Sequence, residues 1–243
     1  MLIKTKAIVF RSLKFGDTQL IIDLFTEACG RVSFIQQIAK NPKAKIKKQF
    51  FQPLTILEIE FDFRQNIKLQ RFKHVRIDTP FSNIPFDPYK LTILLFLADF
   101  LNYSTRGEQQ NEPLFQYIEA SIKWLDASQG YIVNFHLVFM VKLSKFIGFF
   151  PNLDNHEHNT YFDLRNACFT SSAPLHSDFL SAEEATHIHT LMRMNYESMH
   201  LFKMTRDQRN HCTEIILSYY SLHLPNFPEL KSFSVLKELF NTK

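Results

Sequence analysis

Five lysines fall within nine positions of one short stretch, "AKNPKAKIKKQFFQPLTILEIEF" (residues 39–61): Lys40, Lys43, Lys45, Lys47 and Lys48. Ammonium groups at this density repel one another unless a polyanion neutralises them, so the chemistry they offer is a grip on phosphates. More cations flank the stretch: Arg11, Lys14, Arg31, Lys68, Arg71, Lys73 and Arg76. If residues 66–77 are extended, Lys68, Gln70, Phe72, His74 and Arg76 share one face. Such a cation–aromatic–cation row suits single-stranded nucleic acid, with Phe72 as the ring on which a base stacks. Core packing is the competing reading of Phe72, and a solvated surface loop that of the lysines.

Other chemistry finds less support. His156 and His158 stand near Cys168 and His176, but zinc favours close ligand pairs and no C-x-x-C is present. Neither G-x-S-x-G nor a Walker lysine motif occurs. We therefore expect no catalytic residue, no bound metal, no cofactor and no enzymatic turnover. In the helical pattern "VNFHLVFMVKLSKFIGFF", Lys142 and Lys145 lie three apart beside Phe146. An apolar groove rimmed by these ammonium groups could take an acidic peptide that ends in a carboxylate.

The elements that must position these residues fall into two grammars. Runs at 6–12, 18–26, 31–37, 54–63 and 66–77 are β-branched or aromatic, with turn signals at Gly16-Asp17 and Cys29-Gly30. In the fourth, Thr55, Leu57, Ile59, Phe61 and Phe63 alternate with Glu58, Glu60 and Asp62. Five short strands in about 80 residues predict an OB-fold β-barrel. Beyond residue 80 the period becomes helical. Asp87-Pro88 opens a helix to about 103, and others are expected at 112–127, 131–148, 181–199, 205–222 and 234–240. Residues 151–180 lack helical period and read as an irregular insert with one short hairpin. The expectation is an α+β multidomain protein: a barrel over 1–80, then an all-α domain over 81–243.

Charge supports this division. Residues 1–80 hold 15 Lys/Arg against 7 Asp/Glu, whereas 81–243 hold 13 against 17. A basic first third suggests one polyanion-binding part joined to a part with another task. Three cysteines far apart fit a reducing cytoplasm rather than a disulfide framework. The start, "MLIKTKAIVF", lacks the apolar core of a secretory signal. The most apolar run, "LTILLFLADFLNY", is too short to span a bilayer.

Four segments, in order, resemble the bacterial recombination mediator family RecO. "AIVFRSLKFGDTQLIIDLFTEACGRVSFIQQIAK" is similar to its opening and "QPLTILEIEF" to its next strand. "LSKFIGFFPNL" is similar to its helix ending in a glycine–aromatic turn, and "YYSLHLPNFPELKSFSVLKELF" to its C-terminal signature. Phenylalanine and lysine usage suggests the Bacteroidetes branch. The resemblance implies binding of single- and double-stranded DNA and annealing of complementary strands. It also implies contact with the C-terminal tail of single-stranded DNA-binding protein and with RecR, so that RecA can be loaded. Many members carry a four-cysteine zinc module after the middle helix. The corresponding stretch here, 154–180, keeps only Cys168. The arginines that some members place on the middle helix are matched only in charge, by Lys142 and Lys145. From the residues alone, an RNA-binding barrel and a metal-dependent hydrolase built on His156, His158, Cys168 and His176 remain alternatives.

Overall fold

The computed structural model describes residues 1–38, 46–154 and 160–239. The chain divides into two compact units, Met1–Ala127 and Ser128–Lys243.

The first unit opens with a six-stranded sheet. The strands are β1 (Leu2–Phe15), β2 (Gln19–Thr26), β3 (Gly30–Gln37), β4 (Ile56–Asp62), β5 (Leu69–Gln70) and β6 (Phe72–Thr79). Their order is β5-β3-β2-β1-β4-β6. β5 runs parallel to β3, and every other pair is antiparallel. The alternation in residues 54–63 is observed: Leu57, Ile59 and Phe61 are buried, while Glu58, Glu60 and Asp62 reach solvent at least in part. These side chains join Val9, Leu24, Phe34 and Phe51 in one apolar cluster. Two expectations are corrected here. The run expected as a fifth strand is two strands broken at Arg71, so the sheet has six strands. It is also not a closed barrel, because no hydrogen-bonded ladder joins β5 to β6.

Two helices pack on this sheet, α1 (Pro88–Ser104) and α2 (Glu112–Ala127). Asp87 caps α1 as expected, its Oδ1 accepting from Tyr89 N at 2.8 Å and Lys90 N at 3.1 Å, with Pro88 in the first turn. Rings hold α2 to the sheet: Phe115 stacks on Phe25 at 6.2 Å, and Phe25 on Phe10 at 5.7 Å. Phe10 can turn this way because a bulge between Val9 and Arg11 leaves it without a partner on β2. At the end of α2, Asp126 ties the preceding connection. Its carboxylate accepts from the backbone N–H of Ser82, Asn83 and Ile84 at 2.8–2.9 Å.

The second unit is helical: α3 (Phe135–Phe146), α4 (Ala182–Arg193), α5 (Arg206–His223) and α6 (Lys231–Leu239). It is not all-α. The stretch expected as an irregular insert contains β7 (Tyr161–Asp163), β8 (Cys168–Thr170) and β9 (Phe179–Leu180), ordered β8-β7-β9. The capping boxes at Ser181/Glu184 and Thr205/Gln208 both form. α4 ends six residues earlier than expected, because Asn195 Oδ1 accepts from Ser198 N at 2.6 Å and turns the chain. Buried Asn134 accepts from Arg209 Nε at 3.0 Å and donates to Phe202 O at 2.9 Å, fixing the start of α3. Tyr220 donates to Met140 O at 2.7 Å, tying α5 to α3.

Gly30 has φ +65°, and a Cβ there would lie 2.3 Å from the backbone of Gln109. Gly30→Ala combines left-handed backbone strain with a backbone clash. It should lower unfolding free energy by roughly 2 kcal/mol or more, read by urea denaturation. Asp126 gives a pH dependence. Burial pushes its pKa up, but the three backbone N–H groups hold it below the ordinary 3.8. Its contribution is therefore present above that value and lost as pH falls through the lower folded one. Asp126→Asn should be less stable than wild type near neutrality and lose less on acidification, measured as Tm against pH.

Candidate nucleic-acid interface

The expected row on residues 68–76 does not form. In the pairing of β4 with β6, Phe61 faces Phe72 and Glu60 faces His74, so Lys73 is an extra residue on β6. This bulge reverses the side-chain parity. Phe72 turns inward with Val75 and Ile77, while His74 and Arg76 stay exposed. Gln70 is buried as well. Its amide holds the turn before β5, donating to Ile67 O at 2.6 Å and Arg64 O at 2.9 Å.

Phe72 is therefore a packing residue. Its ring lies 4.1 Å from that of Phe34, within 3° of parallel, and 5.6 Å from that of Phe51. Phe51 ends the 3-10 turn Lys48–Phe51, where the chain returns from the lysine-rich segment. The stack thus anchors exposed Lys47 and Lys48 beside Arg71 at the start of β6. The segment's other end is fixed where Ile38 N donates to Thr18 O at 2.7 Å, at the tip of the β1–β2 hairpin. Lys40, Lys43 and Lys45 lie outside the described residues.

The remaining cations sort into two groups. Lys14, Lys47, Lys48, Lys68 and Arg71 are exposed and have no ion-pair partner among the described residues. Arg11, Arg31 and Arg76 are engaged. Arg11 pairs with Asp23 at 2.9 Å, and Asp23 also accepts from Ser33. Arg31 lies over the Phe10 ring and donates to Asn102 O at 2.6 Å and Asn102 Oδ1 at 2.5 Å, binding β3 to α1. Burial lowers its pKa. Arg76 pairs with Glu58, which also meets Lys4 at 3.2 Å. These belong to a balanced lattice of opposite charges across β1, β4 and β6, with Glu60 facing both Lys4 and His74. Lys6 is likewise held, 2.8 Å from Glu119 on α2.

In the second unit, Lys142 lies 5.4 Å from the Tyr196 ring, and Lys145 is exposed near the end of α3. Phe146 is half-buried. His176 lies 3.4 Å from Asp163, which is opposite Cys168 in the β7–β8 pair. Among the described residues no group of three or more His, Cys, Asp or Glu side chains could hold a metal ion. His156 and His158 lie outside those residues. No helix among the described residues is long and apolar enough to cross a membrane.

A strand-rich part with a cationic end, followed by a helical part, is the architecture to be compared with known proteins. The family model for the recombination protein O N terminal matches residues 1–81, and that for the recombination protein O C terminal matches 85–232. The DNA repair protein RecO of Bacteroides fragilis is 50% identical over 242 residues, 99% of this chain and 100% of that protein. That of Phocaeicola vulgatus is 48% identical over 241 residues, and that of Flavobacterium psychrophilum 36% over 243, each with 99% of this chain and 100% of the relative covered. The chain belongs to the RecO family of DNA repair and recombination proteins.

Phe72→Ala tests the packing assignment. Removing the ring from between two others should cost about 3 kcal/mol in urea unfolding, with Phe72→Leu recovering much of it. A ring serving only as a base platform would leave stability unchanged.

Proposed function

We propose that this chain is a DNA-binding recombination mediator. It binds single- and double-stranded DNA, anneals complementary strands, and acts with RecR to load RecA onto DNA coated by single-stranded DNA-binding protein. The observation that carries the reading is the sorting of cations. Lys14, Lys47, Lys48, Lys68 and Arg71 are exposed and have no ion-pair partner among the described residues, while Arg11, Arg31 and Arg76 are held by partners within the fold. Together with Lys40, Lys43 and Lys45 of the same lysine-rich segment, these cations meet phosphates without reading sequence. Arg11, Arg31 and Arg76 then shape the surface rather than touch the strand.

An OB-like arrangement, with the six-stranded sheet open between β5 and β6, is the reading of the strand-rich part that best suits this role. The run 69–79 supports it, because its first two residues pair with β3 and the rest with β4, so one stretch of chain reaches both sides of the sheet. The division of the family models between residues 81 and 85 supports residues 1–80 as the DNA-binding domain and 81–243 as the partner-binding one. In the latter, Lys142, Lys145 and Phe146 on α3 are the proposed contacts for the acidic tail of single-stranded DNA-binding protein. DNA as the ligand implies action in the cytoplasm.

Annealing by this surface needs no catalytic group. Cations that screen phosphate repulsion and leave base edges free allow two strands to pair. Neutralising about six phosphates of a single strand gives a slope of about −4 for log K against log salt. Fluorescence anisotropy across a salt series should show this slope, and Lys47→Ala/Lys48→Ala should make it shallower by about 1.4. A slope near zero for the wild type would overturn the proposal. Competition by RNA of matched sequence, if stronger than by DNA, would transfer the reading to RNA.

A further inference from the structure

The β1–β2 hairpin runs beyond the core that supports it. On β2 the last buried side chain toward the tip is Leu20, yet the ladder continues through Lys14↔Leu20 to Phe15↔Gln19. From Leu13 onward every residue of β1 is exposed, Phe15 by 52% and Leu13 by 45%. Gly16, with φ +61°, then turns the chain. Burying an aromatic side chain stabilises a fold, and the hairpin forgoes much of that at Phe15.

The surroundings of Phe15 have a distinct chemistry. Strand alternation puts Leu13 and Phe15 on one face. The register continues that face across three strands, with Leu13 beside Ile21 and Ile35, and Phe15 beside Gln19 and Gln37. The result is an apolar row bordered by an aromatic ring and two amides. It carries no charge of its own, but cations border it. Lys14 projects from the other side of the same strand and has no ion-pair partner among the described residues. The lysine-rich segment begins where Ile38 is bonded to Thr18 at the tip.

We propose that Phe15 is the ring on which a base of a bound single strand stacks, Phe72 being packed against Phe34 and Phe51. This rests on the DNA-binding reading above. The occupant follows from the pairing of features: a flat apolar ring recruits a π-face, and the neighbouring Lys14 ammonium recruits a phosphate of the same chain. Only an unpaired strand offers both together, because duplex bases are already stacked on one another. Stacking uses the base face and leaves its pairing edge open, which is compatible with annealing.

Phe15 is exposed, so Phe15→Ala should leave the thermal unfolding curve unchanged. The test compares wild type, Phe15→Ala and Phe15→Trp on an oligothymidylate, on an equally long oligomer of abasic sites, and on a duplex, each across a salt series. We expect Phe15→Ala to weaken oligothymidylate binding on the order of tenfold at every salt concentration, with the salt slope unchanged. Binding to the abasic oligomer and to the duplex should match wild type. Phe15→Trp should retain affinity and show emission quenched by the oligothymidylate beyond any change in wild type. Equal affinity of Phe15→Ala and wild type for the oligothymidylate would overturn the inference. So would an equal loss on the abasic oligomer. Salt-dependent binding by wild type in either case would leave the DNA reading standing, whereas its absence would remove both.

Discussion

The arrangement of the cationic end depends on the stacking of Phe72 between Phe34 and Phe51. Phe34 belongs to the middle of β3, Phe51 to the turn by which the lysine-rich segment returns, and Phe72 to the first position of β6. Three parts of the chain, distant in sequence, meet at one set of rings. Offset and parallel aromatic contacts of this kind stabilise beyond their area burial and fix orientation. Since exposed lysines repel one another, the positions of Lys47 and Lys48 must be imposed by apolar packing beneath them. The stack, with Ile46 and Phe50 also packed on the cluster, supplies that.

The bulge at Lys73 makes the stack possible. An unbroken strand would send Phe72 outward with His74 and Arg76 and leave the cluster open at this end. With one extra residue, the ring turns inward and the charged residues keep the outer face, where Glu58 and Glu60 balance them. Charge on this sheet is consequently divided. The outer face of β1, β4 and β6 is a lattice of opposite signs, whereas the end carrying Lys14, Lys47, Lys48, Lys68 and Arg71 lacks carboxylate partners among the described residues. Exposed ion pairs contribute little stability, so the lattice matters chiefly for where it leaves the net field.

What the sequence reveals follows the range of each interaction. Residues 54–63 are legible because a period of two over a long, half-buried strand has one reading, and the caps at Asp87, Ser181 and Thr205 are legible because they act within three residues. The density of lysines is visible without any structure. The orientation of Phe72 is not legible, because one inserted residue inverts the parity of an unbroken strand. The engagement of Arg31 is not legible either, because its partner, Asn102, is 71 residues away. The break at Arg71 is invisible in composition, since both sides of it favour a strand. The exposure of Phe15 does leave a signal in the sequence. Leu13 and Phe15 alternate right up to the Gly16-Asp17 turn, farther than a small core can reach.

The two parts of the proposed surface act on different properties of a strand. Lysines attract phosphates at a distance, and salt weakens that attraction within a Debye length. An exposed ring acts only on contact, independently of salt, and requires an unpaired base. A surface built from both holds single strands more tightly than its charge alone provides, yet contacts no pairing edge. As two strands become a duplex, the stacking contribution is lost while the phosphate contribution persists. The product thus loses one of the two contributions that hold its separate strands, which favours release after pairing. In the annealing proposed for this chain, base pairing itself drives the reaction forward, and loss of the stacking contact lets the protein leave the product.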